Sequence, residues 1–219
     1  MDYARLTATL QERLAPLARD EGRFQAEWEV SPSLEPTVID WLEATISAEE
    51  GMAGFRISPE LRRLYAAANG LSIYWVDLNA DETIRTSETS AVSYGVGGFA
   101  RTVYLPELYE PGEPRARAVY DRYKLFDWAD SRDHVSLRFA RDRAEPELYF
   151  FERSSGAYYL LALDIPSYME LLLEARGLTW WQQFFVADPS FRMDPVKADI
   201  FQRNLRWLFP DANASRRRR

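Results

Sequence analysis

Ile57-Ser58-Pro59-Glu60-Leu61-Arg62-Arg63-Leu64-Tyr65, then Asn69-Gly70 and Leu71-Ser72-Ile73-Tyr74-Trp75-Val76-Asp77-Leu78, is where helical spacing gives way to strand spacing. Ser58 can cap a helix with its hydroxyl, Pro59 sits where a missing N–H costs nothing, and Glu60 favours the positive helix end. Leu61, Leu64 and Tyr65 share one side, and Asn69-Gly70 stops the helix. The run from Leu71 to Leu78 is β-prone and predicts a strand.

Upstream, Tyr3, Leu6, Leu10, Leu14 and Leu17 recur at steps of three and four. That spacing predicts a helix over 3–20, with Pro16 ending or bending its last turn. A second stripe, Val38, Trp41, Leu42 and Ile46, follows the turn-forming Ser31-Pro32-Ser33 and stops at Gly51.

Downstream, further β-prone runs are Val92 to Tyr94, Ala100 to Leu105, Val135 to Phe139, Leu148 to Phe151 and Tyr158 to Leu163. The last two flank Glu152-Arg153-Ser154-Ser155-Gly156, a hairpin turn that pairs them antiparallel. Pro111, Gly112 and Pro114 mark a loop over 109–117. Asp164 and Pro166 open a helix whose Ile165, Tyr168, Met169, Leu172 and Leu173 share a side and which Gly177 ends. In Trp180-Trp181-Gln182-Gln183-Phe184-Phe185 the aromatics fall within about 140° of a helix circumference, with both glutamines opposite. Asp194 and Pro195 start a last helix, 195–209, with Val196, Ile200, Phe201, Leu205 and Leu208 inward and Pro210 closing it.

The 219 residues are 47% apolar and 28% charged, enough for one sizeable core, and neither an internal repeat nor a long linker divides them. Residues 1 to 215 carry 23 bases against 34 acids, a net charge of −11, because four arginines are the terminal run Arg216 to Arg219. An acidic body repels phosphate backbones and suits a basic protein partner, so nucleic acid is not the expected ligand. The absence of cysteine excludes disulfides, thiolate zinc sites and cysteine nucleophiles. No uninterrupted apolar segment resembles a signal peptide or approaches the roughly 20 residues of a membrane helix, so the expected location is the cytoplasm, with no membrane partner.

The motif from Ile57 to Tyr65 with Asn69-Gly70 resembles the signature of the SUKH superfamily, in which a Pro-capped helix ending in Asn-Gly leads into the first core strand. The later segments Tyr104-Leu105-Pro106-Glu107-Leu108, Leu148 to Leu163 and Ile165 to Arg176 are similar to the family's subsequent layout. Gly95-Val96-Gly97-Gly98 stands where members carry a glycine-containing pair, while 79–90 departs from the pattern. The resemblance covers about 38–185 and implies an α+β fold, a twisted, mostly antiparallel sheet backed by helices. On this reading residues 1–215 form one domain, helices 3–20 and 195–209 add to its core, and 216–219 is a disordered tail. The resemblance also implies a binding protein, either an immunity protein that neutralises a bacterial toxin or a regulatory scaffold.

The residues themselves offer little catalytic chemistry. His134 is the single histidine, just before a predicted strand, so any triad or metal site would rest on it alone, and an ordinary loop residue is favoured. Gly95-Val96-Gly97-Gly98 lacks the helix and Lys or Ser/Thr that a phosphate loop requires. Carboxylates such as Asp77, Asp81, Glu82, Asp127 and Asp130 read as acidic surface; the competing reading is a carboxylate or metal-dependent enzyme, with Asp77 and Asp81 as oxygen ligands. Of Tyr74 and Trp75, one faces inward and the other is a candidate contact. The expectation is therefore no catalytic residue, metal or cofactor. The expected partner is a cognate toxin with a basic site, met by Trp75, Asp77, Asp81, Glu82, Asp127, Trp128 and Asp130.

Overall fold

Tyr3, Leu6, Leu10, Leu14 and Leu17 are all buried, and they belong to a short 3-10 turn (Tyr3–Arg5) and the helix α1 (Leu6–Arg19) that continues it. In the computed structural model the described residues are 2–19, 22–48, 54–77, 91–95, 123–128, 133–139, 143–178 and 180–208. Of the two outcomes expected of Pro16, ending the helix is excluded, because α1 runs on to Arg19. Pro16 and Glu12, whose carbonyl loses its partner, are both exposed, so water can satisfy that group while Leu17 holds the last turn inside.

Strand β1 (Phe24–Ser31) follows, then helices α2 (Pro36–Ser47) and α3 (Pro59–Ala67), strand β2 (Gly70–Asp77) and strand β3 (Ala91–Gly95). Strands β4 (Tyr123–Trp128), β5 (His134–Arg138), β6 (Glu147–Glu152) and β7 (Ala157–Leu160) come next. Helix α4 (Ile165–Glu174), a 3-10 turn (Trp181–Phe185) and helix α5 (Pro195–Leu208) complete the described elements. The fold class is α+β, as expected. Among the described residues the strands pair antiparallel in two sheets, ordered β1-β2-β3 and β4-β5-β6-β7, where the sequence reading expected one.

Helix α3 forms as its sequence dictates: Ser58 Oγ accepts the Leu61 N–H at 3.2 Å, Pro59 opens the first turn, and Leu61, Leu64 and Tyr65 are buried. Tyr3 ties the N-terminus to it by donating its hydroxyl to Glu60 at 2.7 Å. Helix α4 is equally legible, with Asp164 accepting the Ser167 N–H at 2.8 Å and its predicted apolar face buried. The hairpin β6–β7 pairs Phe151 with Tyr158 and Glu152 with Ala157, and Gly156 takes the left-handed φ of 66° that its turn needs.

Three inward faces differ from expectation. Helix α2 buries Ile39 and Leu42, leaving Val38 and Trp41 exposed at 37% and 56%. Its orientation is set by Glu43, which accepts the Ile57 N–H and pairs with Arg62 of α3. In α5 Phe201 is inward as expected, but Val196 is 64% exposed because Lys197 and Phe201, four apart, make the described contacts; the side chains of Ile200, Leu205 and Leu208 lie outside the described residues. In the turn Trp181–Phe185, Gln182 and Gln183 are buried while Phe184 is 41% exposed. The 3-10 winding advances about 120° per residue, so five residues point to all sides and the four aromatics cannot share one.

One buried cluster runs through both sheets and α1 to α5, where Phe201 joins it. Residues before position 38 contribute as deeply as those after it: Leu10 and Leu14 are fully buried, and Phe24 meets Trp75 edge to face at 6.1 Å. The segment 216–219, the strand expected at Ala100 to Leu105 and the loop 109–117 lie outside the described residues.

Candidate partner-binding surfaces

Trp75 is the inward member of the Tyr74–Trp75 pair. It is wholly buried, and its indole N–H donates to the Arg176 carbonyl at 3.0 Å, so it is a core residue and not the contact the sequence suggested. Strand alternation with Leu71 and Ile73 decides this, because β2 lays that parity against the turn that follows α4, where Arg176 and Gly177 meet Trp75 and Ile73.

Asp127 is also inside, 1% exposed. The register of β4 against β5 slips between Leu125 and Asp127, a bulge that turns two consecutive residues toward α4. Phe126 meets the Tyr168 ring at 5.5 Å, and Asp127 accepts the Tyr168 hydroxyl at 2.5 Å. Burial, with the Asp127 carboxylate beside it, pushes the Tyr168 phenol well above its ordinary pKa, so it remains a donor. Gln182 Nε2 lies 3.4 Å from the same hydroxyl. Around this network Trp181 Nε1, Gln182 Oε1 and Gln183 Nε2 are buried without a hydrogen-bond partner among the described residues.

The remaining predicted contacts are not brought together by any described contact. Asp77 ends β2 and Trp128 ends β4, and their side chains lie outside the described residues, as do Asp81, Glu82 and Asp130 entirely. Among the described residues no group of three or more His, Asp or Glu side chains is arranged to hold a metal ion. His134 is 6% exposed and stacked on Phe151 at 4.6 Å, which gives it a packing role on β5.

Sequence reasoning missed β1 and with it an acidic face. Phe24, Ala26, Trp28 and Val30 alternate with Gln25, Glu27 and Glu29, and that period of two was the available signal. The first set packs on the core, and the second is exposed. Glu27 stands opposite Tyr74 and Glu29 opposite Ser72 in the β1–β2 register. The outer side of this sheet therefore carries two solvated carboxylates at neighbouring same-face positions, about 7 Å apart along the strand.

The four-stranded sheet presents a different chemistry. Tyr123 of β4 stacks on Tyr158 of β7 at 4.0 Å and 11°, although these strands are the two edges of the sheet. In a flat sheet three strand spacings would separate them by about 14 Å, so the sheet is strongly coiled. Its half-buried aromatic side, with Tyr149 and Phe151, closes over His134 and Ser136 and forms a satellite cluster instead of an open platform.

Comparison with family models, with curated proteins and with solved structures gave no match.

Proposed function

We propose that this chain is a non-enzymatic protein-binding module, an immunity protein that neutralises a bacterial toxin by direct binding through an acidic, aromatic-containing surface. The observation that supports this reading is the outer face of the β1-β2-β3 sheet. Glu27 and Glu29 are exposed there, in register with Tyr74 and Ser72, while Trp75 is held in the core. Carboxylates on a rigid strand can stand in for the phosphates of a toxin that attacks nucleic acid, and the net charge of −11 over 1–215 favours encounter with a basic target. Rigid elements lose little entropy on binding, so a sheet face is well suited to tight occlusion. No described helix is long and apolar enough to cross a membrane, in keeping with a proposed site of action in the cytoplasm.

The test is co-expression with the reading frame immediately upstream of the gene. Relief of that product's toxicity, with a stable complex of the two chains by native mass spectrometry, is the expected outcome. Undiminished toxicity and no complex would remove the immunity reading. Recovery of several unrelated cellular proteins by the tagged chain would instead support the regulatory scaffold.

A further inference from the structure

Lys197, one of only two lysines in the chain, sits in a setting assembled from distant segments. Its Nζ lies 3.4 Å from Asp133 Oδ2 and 5.7 Å from the centroid of the Trp180 ring. Asp133 is 3% exposed and Trp180 9%. The other Asp133 oxygen accepts the Arg153 N–H at 3.0 Å, which fixes the carboxylate from the hairpin side. Trp180 has a φ of 72°, a left-handed conformation that costs a bulky residue roughly 1–3 kcal/mol and that the surrounding fold must impose. A buried carboxylate and an aromatic face held at one ammonium are the elements of a cation-recognition pocket.

On the helix that supplies the lysine, Pro195, Val196 and Asp199 are exposed, whereas Phe201 is 7% exposed, belongs to the core cluster and meets Phe184. The Lys197 side chain is 32% exposed, so the pocket opens to solvent around it. The carboxylate and the ring are thus fixed by the fold, whereas the ammonium reaches them on a flexible side chain that is partly open to solvent.

We propose that Asp133 and Trp180 form a recognition pocket for a lysine side chain of a partner protein, filled in cis by Lys197 of α5 until the partner displaces it. The inference rests on the protein-binding reading above and names the chemistry that one contact recognises. A cis occupant acts at an effective concentration of about millimolar or more, so it weakens a competing lysine without abolishing its binding.

The experiment uses the full chain and the peptide acetyl-Gly-Lys-Gly-Lys-Gly-amide, with glutamine replacing lysine in the control. Isotope-labelled dimethylation keeps the charge and gives resolvable NMR signals for Lys124 and Lys197. The Lys197 signal is expected upfield from the Trp180 ring current and moves to the free-lysine position as peptide is added. Lys197→Gln is expected to bind the peptide about tenfold more tightly than wild type. Asp133→Asn, which keeps an acceptor for the Arg153 N–H, and Trp180→Leu should each abolish that gain in the Lys197→Gln background. An unmoved Lys197 signal overturns the proposal without recourse to any variant that might unfold. So does a gain that survives both substitutions. Because the peptide stands in for any toxin, a pocket that binds lysine in a chain that neutralises nothing would sink the immunity reading alone. Neutralisation by a chain whose pocket ignores lysine would sink the pocket alone.

Discussion

Trp75 and Arg176 are joined by a hydrogen bond from the indole N–H to the backbone carbonyl, 3.0 Å across and 101 residues apart in sequence. The bond couples the central strand of the three-stranded sheet to the left-handed turn that ends α4, where Arg176 and Gly177 have φ of 53° and 73°. It satisfies a buried donor that would otherwise cost about 1–3 kcal/mol.

Gly177 packs against Ile73, and a Cβ added there would stand 3.2 Å from the Ile73 side chain in a backbone region that L-residues avoid. Gly177→Ala should destabilise the fold by about 2 kcal/mol, from left-handed strain with steric crowding added. Urea unfolding followed by tryptophan fluorescence measures it; a change within about 0.5 kcal/mol would mean that the turn is not held against β2.

Tyr168→Phe removes the hydroxyl that Asp127 accepts while leaving the ring against Phe126 and Trp181. The loss should be about 2 kcal/mol, the value of a buried hydrogen bond to a charged group. Adding Asp127→Asn tests the pairing: the double variant should lose less than the sum of the singles, and strict additivity would show that the two groups do not interact.

Asp164 caps α4, and its hydrogen bonds from Ser167 hold the carboxyl below its ordinary pKa of 3.8. A depressed folded-state pKa stabilises above the unfolded value and loses that contribution as pH falls through the folded one. Asp164→Ala should therefore cost about 1 kcal/mol at neutral pH and progressively less below pH 3.8. Parallel denaturation of both proteins between neutral and acid pH reads this difference, and a gap that widens with acid would contradict it.

Glu27→Lys with Glu29→Lys should leave stability within about 0.5 kcal/mol, because both side chains are exposed. Association with a basic toxin should slow by about tenfold at low salt, with a smaller loss at high salt. Stopped-flow association at two ionic strengths measures the effect, and an unchanged rate would place the contact elsewhere.

Local chemistry was legible wherever one segment carried its own instructions. Ser58-Pro59 and Asp164 with Pro166 cap their helices through hydrogen bonds to residues three positions on. The hairpin at Gly156 depends on one left-handed residue. The α+β class followed from these signals together with the alternating runs. The strand Phe24–Ser31 was equally legible in its period of two, but its single buried parity was not read.

What tertiary structure decided is orientation. Val38 and Trp41 belong to the same apolar stripe as Leu42, yet Glu43 and its bonds to Ile57 and Arg62 turn α2 so that Ile39 is buried beside Leu42 while Val38 and Trp41 face out. Asp127 reads as a surface acid, and only the bulge at Leu125/Asp127 and the facing Tyr168 bring it inside. Trp180 and Lys197 belong to separate segments, and Asp133 comes from a third, so their meeting was not readable from spacing. Periodicity and capping act within a few residues and are written in order along the chain. Which face turns inward, and which distant groups converge, depends on long-range packing against elements that are not adjacent in sequence.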